Sequence, residues 1–198
     1  MMVKVCGLRR PEQIEPIADF SDLIGFIFYS KSPRYIDKPA NSSNALRVGV
    51  FVNEKMEVIL DKVKQHKLDF VQLHGQESPE YCLQLKSKVR IIKAFGIDEQ
   101  FDFSQLSNYK DCSDYLLFDT KTESHGGSGK SFDWTLLDKY EDNLPFFISG
   151  GINDNSLTEL KKIEHPQFIG VDLNSGFESN PADKNIDQLR KFIHEIKI

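Results

Sequence analysis

The sequence predicts an α/β protein, folded as one compact closed (β/α)8 barrel, and three observations favour this class. Eight short runs rich in Val, Ile, Leu and Phe alternate with amphipathic, charged segments along the chain. Such near-continuous apolar runs are typical of parallel strands covered on both faces. No G-x-G-x-x-G follows the first run, which argues against the alternative, an open doubly wound sheet. The notable polar residues also follow several different runs, and barrels place their chemistry at those strand ends.

The predicted strands and helices follow one another in order. The strands are Val3–Cys6, Leu23–Phe28, Arg47–Val52, Asp69–Leu73, Arg90–Phe95, Tyr115–Asp119, Phe146–Ser149 and Phe168–Asp172. The helices are Pro11–Asp19, Glu54–His66, Pro79–Lys86, Glu99–Tyr109, Trp134–Tyr140, Asn155–Ile163 and Ala182–Ile196. The second connection, Pro33–Ala45, is rich in Pro, Ser and Asn, so we expect a short or irregular helix there. Because no linker interrupts the alternation, residues 1–198 are predicted to form a single TIM-barrel domain.

The bulk composition excludes several classes of protein. The net charge of -5 argues against a general nucleic-acid binder, which needs an excess of cationic contacts. No apolar run approaches the roughly 20 residues that span a bilayer, and the N-terminus lacks a signal-peptide core. The three cysteines are widely spaced and form neither a disulfide framework nor a C-x-x-C metal site. We therefore expect a cytoplasmic protein with no nucleic-acid or membrane partner.

Residues 124–132, SHGGSGKSF, end like a nucleotide-binding P-loop, but Ser124 stands where that pattern requires Gly. A Gly-rich loop can still bind an anion through its backbone amides. Two more such clusters, SGGIN and NSGFE, follow the seventh and eighth strands, in the barrel region that often binds phosphate. A phosphorylated sugar is therefore the predicted ligand. The candidate substrate-binding residues in the three clusters are Gly127, Gly150, Gly151, Asn174, Ser175 and Gly176.

Cys6 ends the first strand and has two interpretations, a small buried hydrophobe or a catalytic thiol. Because side chains alternate along a strand, Lys4 and Cys6 share one face and Val3 and Val5 the other. If the valines face the helices, Lys4 and Cys6 point into the barrel, where the lysine would favour the thiolate. Lys4 could also pair with Asp172 on the neighbouring eighth strand.

Four other polar residues lie at strand ends or just after them, and each has a structural and a functional interpretation. Arg34 is either a solvated loop charge or a fork that binds a carboxylate or phosphate. Asp119 either caps a turn or donates a proton in the barrel mouth. Gln72 and His74, in VQLHG, either line the mouth as polar side chains or bind substrate, and His74 could act as a base.

With these residues identified, the chain resembles the phosphoribosylanthranilate isomerase family. The matching segments run in family order across nearly the whole chain: VKVCGL, GFIFYSKSPRY, VGVFVN, DFVQLHG, LFDTKT, GGSGKSFDW, ISGGIN and VDLNSGFE. The resemblance implies Amadori rearrangement of an aminated ribose phosphate in tryptophan biosynthesis. It assigns the base to Cys6, the acid to Asp119, the anthranilate carboxylate contact to Arg34, and the phosphate-binding amides to Gly127, Gly151, Ser175 and Gly176. It implies neither cofactor nor metal, and a monomer or a homodimer.

Three other functions remain open on the residues alone. A metal-dependent epimerase would need clustered His and carboxylate ligands, of which only His74 is a clear candidate. A Schiff-base aldolase would need a deeply placed lysine, and Lys93 in IIKAF is available. A non-catalytic phosphosugar-binding barrel would keep the glycine loops but has no need of Cys6 and Asp119 together.

Overall fold

The computed structural model describes residues 1–39, 44–121 and 131–198 and contains a closed parallel barrel. Its strands are β1 (Met2–Val5), β2 (Leu23–Ile27), β3 (Leu46–Phe51), β4 (Phe70–Leu73), β5 (Arg90–Ile97), β6 (Tyr115–Thr120), β7 (Phe146–Ile148) and β8 (Phe168–Leu173). Each strand pairs in parallel with the next, and β1 pairs with β8, with Lys4 opposite Asp172. The predicted barrel and strand order are confirmed.

Alternation of side chains divides the core into two layers. The barrel interior is packed with a cluster of buried apolar residues: Leu23, Val48, Phe70, Ile92, Ala94, Leu117 and Phe147. The neighbouring strand positions, such as Val3, Val5 and Phe26, face outward into a second cluster shared with the helices. Both faces of the strands are therefore buried, which is why they read as continuous apolar runs.

Five α-helices cover the strands in the described part of the chain. They are α1 (Pro11–Ala18), α2 (Met56–His66), α3 (Pro79–Lys86), α4 (Leu157–Leu160) and α5 (Ile186–Lys197). Proline begins α1 and α3, where its missing N–H costs nothing. Within its described residues, the Pro33–Ala45 connection contains turns and bends but not the short or irregular helix that was expected. None of these helices combines the length and apolarity needed to cross a bilayer.

Three predicted α-helices are wrong in type or length. Phe103–Tyr109 and Trp134–Lys139 are 3-10 segments, and the third prediction becomes a 3-10 turn, Asp154–Ser156, followed by the short α4. Each of the three segments starts with an Asx side chain that accepts a hydrogen bond from the amide two residues later, at 3.0 Å. Such bonds favour tight turns over regular α-helix.

The C-terminal helix also begins later than predicted. Glu178–Asn180 (β9) and Asp183–Lys184 (β10) form a small antiparallel ribbon, and Ala182 between them has a φ of 65°. The helix begins only at Ile186, because Asn185 is its N-cap and accepts from Gln188 N at 3.1 Å. The ribbon lies between β8 and α5 in the chain and carries charged residues toward the barrel mouth.

Candidate active site

Six of the predicted site residues meet at the carboxyl ends of the strands. A cavity of about 70 Å³ is lined there by residues including Cys6, Arg34, Gln72, His74, Asp119, Ser149, Asp172 and Asn174. A recess of about 420 Å³ shares His74 and Asp119 with this cavity. A groove of about 980 Å³ lies farther out and includes Gly151 but neither Cys6 nor Asp119. We take the shared mouth of the first two as the candidate active site, since it holds the titratable groups.

Cys6 lies above a buried ion pair on the floor of the cavity. Lys4 Nζ lies 2.8 Å from Asp172 Oδ2, as the sequence predicted, and Lys4 is fully buried. Burial raises the pKa of the Cys6 thiol, and the neighbouring Lys4 offsets only part of that rise. The expected net shift toward thiolate is therefore not observed in the free protein, because removal from water outweighs the nearby cation.

Gly25 in β2 provides the space in which these groups meet. A Cβ atom at this position would lie 2.7 Å from Cys6 Sγ and 3.2 Å from Lys4 Nζ. Contacts of that length require the thiol or the ammonium to move, so only glycine accommodates both in their present positions. Gly25 was not among the predicted site residues, since a single glycine within an apolar run carries no distinctive signal.

Asp119 is linked to His74 and Gln72 in a short hydrogen-bonded chain. His74 Nε2 lies 3.2 Å from Asp119 Oδ2, and Gln72 Nε2 lies 2.8 Å from His74 Nδ1. The other oxygen of Asp119 accepts from Thr120 N at 2.9 Å. With the Gln72 amide in this orientation, His74 Nδ1 accepts and Nε2 carries the proton directed at Asp119. All three residues were predicted from the sequence as candidates, but their hydrogen-bonded connection was not.

Arg34 reaches the cavity but already contacts a carboxylate of the protein. Its Nε and Nη2 donate to Glu178 of β9, at distances of 2.6 to 3.0 Å. Lys184 of β10 donates to Glu178 Oε1 and to Asn174 Oδ1, both at 2.7 Å. Neither Glu178 nor Lys184 was predicted, although Glu178 stands within the NSGFE segment. The contact between Arg34 and Glu178 depends on the fold of the β9–β10 ribbon, and that ribbon was not predicted from the sequence.

Backbone amides from two loops lie at the edge of the mouth. Among the described residues, no acceptor pairs with the N–H of Gly151, Ser175 or Gly176. The two loops touch, since a Cβ on Gly176 would collide with the carbonyl of Ile152. These amides form an arrangement suited to an anion. Gly127, the remaining predicted phosphate contact, lies outside the described residues.

Gly150 has a structural reason to be glycine. Its φ is 84°, and an added Cβ would lie 2.6 Å from Asp119 Oδ1. The backbone of this loop therefore packs directly against the carboxylate of Asp119. A side chain here would displace that carboxylate, whatever further part Gly150 plays in binding.

Lys93 lines the larger recess, but the protein already occupies its ammonium, unlike that of an aldolase lysine. Its ammonium is buried, lies 3.2 Å from Glu77 Oε2, and donates to the carbonyls of Leu73, Gly75 and Ala94. Three donors are thus fully occupied. Within the described ranges, no group of three or more His, Cys, Asp or Glu side chains is arranged to hold a metal ion.

Comparison with known proteins identifies what the chain is similar to. A sequence model of the family "N-(5'phosphoribosyl)anthranilate (PRA) isomerase" matches residues 3–195. The N-(5'-phosphoribosyl)anthranilate isomerase of Parabacteroides distasonis is 44% identical, with 99% of this chain and 93% of the relative covered. The crystal structure of the Thermotoga maritima enzyme superposes with a TM-score of 0.87 at 36% identity, covering 100% and 98% of the two chains. A structure solved with reduced 1-(o-carboxyphenylamino)-1-deoxyribulose 5-phosphate has a TM-score of 0.84 at 33% identity, with the same coverage.

Proposed function

The chain belongs to the N-(5'-phosphoribosyl)anthranilate isomerase family of tryptophan biosynthesis, and we propose that Cys6 and Asp119 are the base and the acid of its reaction. It is an aldose–ketose isomerase, and the reaction is the Amadori rearrangement of phosphoribosylanthranilate to 1-(2-carboxyphenylamino)-1-deoxyribulose 5-phosphate. One observation carries the assignment of roles: the thiol and the carboxyl face one cavity at the strand ends. That arrangement allows the two groups to act on adjacent atoms of one substrate.

Asp119 gives a proton to the ring oxygen of the ribose in the first step. The anthranilate nitrogen pushes its lone pair toward C1 as the C1–O bond breaks, which leaves a protonated Schiff base. Asp119 enters this step as the carboxylic acid and leaves it as the carboxylate. His74 Nε2, 3.2 Å from Asp119 Oδ2, then stabilises that carboxylate as a hydrogen-bond donor. Thr120 N and the backbone of Gly150 keep the carboxylate in place while this happens.

Cys6 removes the proton from C2 in the second step. The electron pair of that C–H bond moves toward C1 and forms an enolamine, which tautomerises to the ketone of the product. Burial raises the pKa of Cys6 in the free protein, so the thiolate needs further stabilisation. Lys4 supplies part of it, and the cationic Schiff base of the opened substrate supplies the rest, since a nearby positive charge favours thiolate. The base thus becomes effective after ring opening.

Two buried acceptors in the cavity suit a sugar. Gln72 Oε1 and Asp172 Oδ1 are buried and find no donor among the described residues. A buried acceptor without a donor costs about 1–3 kcal/mol, so a ligand that donates to it gains affinity. We propose that the ribose hydroxyl groups donate to these two oxygens when the substrate binds.

The two ends of the substrate bind on different parts of the rim. The phosphate accepts from the amides of Gly151, Ser175 and Gly176, which pair with no acceptor among the described residues, and Gly127 is the predicted fourth contact. Arg34 binds the anthranilate carboxylate, since it lines the cavity with a charged fork. These contacts anchor the substrate, and none of the proposed steps uses a cofactor or a metal.

The test is turnover of phosphoribosylanthranilate by the purified chain and two variants, followed by loss of substrate fluorescence. Cys6→Ala and Asp119→Asn should each lower kcat by about 10²–10⁴-fold, the usual contribution of a general base or acid. Cys112→Ala, which removes a buried thiol outside the site, serves as the control for folding. Near-normal turnover in Cys6→Ala would show that the base lies elsewhere. The oligomeric state stays a prediction of monomer or homodimer, which light scattering can test.

A further inference from the structure

The guanidinium of Arg34 has two edges, and the protein occupies one of them. Nε donates to Glu178 Oε1 and Oε2 at 2.9 and 3.0 Å, and Nη2 donates to Oε2 at 2.6 Å. This is the side edge of the fork. Among the described residues, Nη1 has no acceptor, which leaves the end edge formed by Nη1 and Nη2 available. A carboxylate can bind bidentately to either edge of an arginine, so one edge remains for a ligand.

Glu178 is itself held rigidly. Its side chain is 3% exposed, and Oε1 accepts from Lys184 Nζ at 2.7 Å and from Ala182 N at 3.2 Å. Gln13 of α1 in turn forms two hydrogen bonds with the backbone of Lys184, at 2.9 and 3.0 Å. The ribbon is therefore tied to the barrel, and the carboxylate of Glu178 cannot swing away without breaking several buried bonds.

The stem of Arg34 is also confined from the opposite side. Gly7 follows β1 with a φ of 75°, and a Cβ there would lie 2.7 Å from Arg34 Cδ and 2.8 Å from Asn174 Oδ1. The arginine thus packs between the backbone at the end of β1 and the ribbon. Its guanidinium is fixed at both its stem and its side edge.

The charges around Arg34 leave a net charge that matches the ligand. Arg34 and Lys184 are cations and Glu178 is an anion, so the trio carries one net positive charge. Burial raises the pKa of Glu178, but the hydrogen bonds and charges of Arg34 and Lys184 outweigh it, so the net shift is downward. The carboxylate is ionised at neutral pH. A single substrate carboxylate would bring the cluster to neutrality.

We propose that Glu178 is a positioning residue that holds Arg34 by its side edge and so presents the end edge to the anthranilate carboxylate. The inference rests on the proposed contact between Arg34 and that carboxylate. It goes further in assigning carboxylate recognition to the ribbon after β8, through Glu178 and Lys184. Lysine at position 34 could not replace arginine, because an ammonium group cannot bind Glu178 and the substrate carboxylate bidentately through two separate edges.

The experiment compares two substrates, phosphoribosylanthranilate and the phosphoribosyl adduct of aniline, which lacks the carboxylate. The wild type should prefer the first in kcat/KM, and Arg34→Ala should lose that preference. Glu178→Gln should raise KM for phosphoribosylanthranilate about tenfold, change kcat less than about threefold, and lose most of the preference, since binding rather than chemistry is weakened. Arg34→Lys should behave like Arg34→Ala, and it decides the matter if Glu178→Gln does not fold.

Glu77→Gln is the matched control, since Glu77 is also a buried carboxylate paired with a buried lysine. It should lower thermal stability without changing the preference between the two substrates. If Arg34→Ala loses the preference while Glu178→Gln and Arg34→Lys keep it, the role of Glu178 is wrong and the arginine contact stands. If Arg34→Ala keeps the preference, the arginine contact itself is wrong and this inference falls with it.

Discussion

Lys4 in β1 and Lys93 in β5 are both buried inside the barrel, four strands apart, and each is paired with a carboxylate. Lys93 Nζ contacts Glu77 and three backbone carbonyls at 2.8 to 3.2 Å. Lys4 Nζ contacts Asp172 at 2.8 Å and interacts with the thiol of Cys6. The two lysines differ in their partners: the ammonium of Lys4 interacts with a reactive thiol, and that of Lys93 does not.

The pKa directions express the same difference. Burial lowers the pKa of both lysines, but Asp172 and Cys6 more than offset it at Lys4, where the net shift is upward. At Lys93 the neighbouring Glu77 offsets only part of the effect, and the net shift is downward. Lys4 is therefore a charged group beside the Cys6 thiol. Lys93 has a structural role, because its hydrogen bonds go to Glu77 and to backbone carbonyls. A carboxylate partner alone is common to both lysines, so a buried lysine indicates catalysis only if a reactive group such as the Cys6 thiol also shares it.

The largest expected effect comes from replacing each lysine by methionine. Breaking a buried ion pair costs about 3–5 kcal/mol of folding free energy, so both variants should be destabilised. Only Lys4→Met should also lower kcat, by about 10²-fold, because the Cys6 thiolate loses its cation. Lys93→Met should keep turnover per folded molecule within about threefold. Denaturant unfolding and fluorescence assays of folded fractions measure the two quantities.

A double variant separates charge from stability on the Lys4 side. Lys4→Met with Asp172→Asn no longer leaves a buried charge unpaired, so part of the lost stability should return while the low kcat remains. Equal loss of turnover in Lys4→Met and Lys93→Met would contradict the contrast between the two regions.

A smaller effect is expected from adding one methyl group on each side of the barrel. Gly25→Ala places a Cβ 2.7 Å from Cys6 Sγ, and overpacking of this kind costs about 1–3 kcal/mol. Turnover should also fall, because the thiol moves. In Gly96→Ala of β5, the nearest atom, in Lys121, lies 3.4 Å away, so stability should stay within about 0.5 kcal/mol. Thermal unfolding of both variants measures this difference. Equal stability of Gly25→Ala and Gly96→Ala would mean that the Cys6 thiol can move aside without cost.

The smallest effect concerns Cys82, the buried thiol near Lys93. Burial raises the pKa of Cys82 to about 12, whereas the pKa of a cysteine in an unfolded chain is about 8.5. Between these values the unfolded chain has lost a proton that the folded chain keeps. Stability due to this group is therefore present below about pH 8.5 and is lost as pH rises toward 12, by at most about 1.4 kcal/mol per pH unit.

Cys82→Ala removes that contribution and should flatten the fall in unfolding free energy above pH 8.5, whatever it does to stability at pH 7. Denaturant titrations at several alkaline pH values give the two slopes. Identical slopes for the variant and the wild type would show that folding does not raise the pKa of Cys82.

Prediction from the sequence succeeded where the signal was local. The start of β2 at Leu23, the span of β6 from Tyr115, and the proline starts of α1 and α3 all follow from apolar runs and from helix-start chemistry. It failed at Phe103–Tyr109 and Trp134–Lys139, where the amphipathic period was present but Asx-capped turns and short connections produced 3-10 geometry. The spacing of apolar residues alone does not distinguish a 3-10 segment from an α-helix.

The sequence by itself determined the barrel class, the strand order and the identity of Cys6, Arg34 and Asp119 as candidates, because apolar periodicity and strand-end position are properties of neighbouring residues. Only the tertiary structure decided how those groups are paired. Arg34 meets Glu178 across 144 positions of sequence, a pairing that was not predicted. The pair of Lys4 with Asp172, across 168 positions, was predicted only because a closed barrel places the eighth strand beside the first. Such contacts depend on the closure of β1 on β8 and on the fold of the ribbon. The same closure buries Cys6 and raises its pKa. The presence of Lys4 two residues away in the sequence predicts the opposite shift, but burial outweighs a single neighbouring charge.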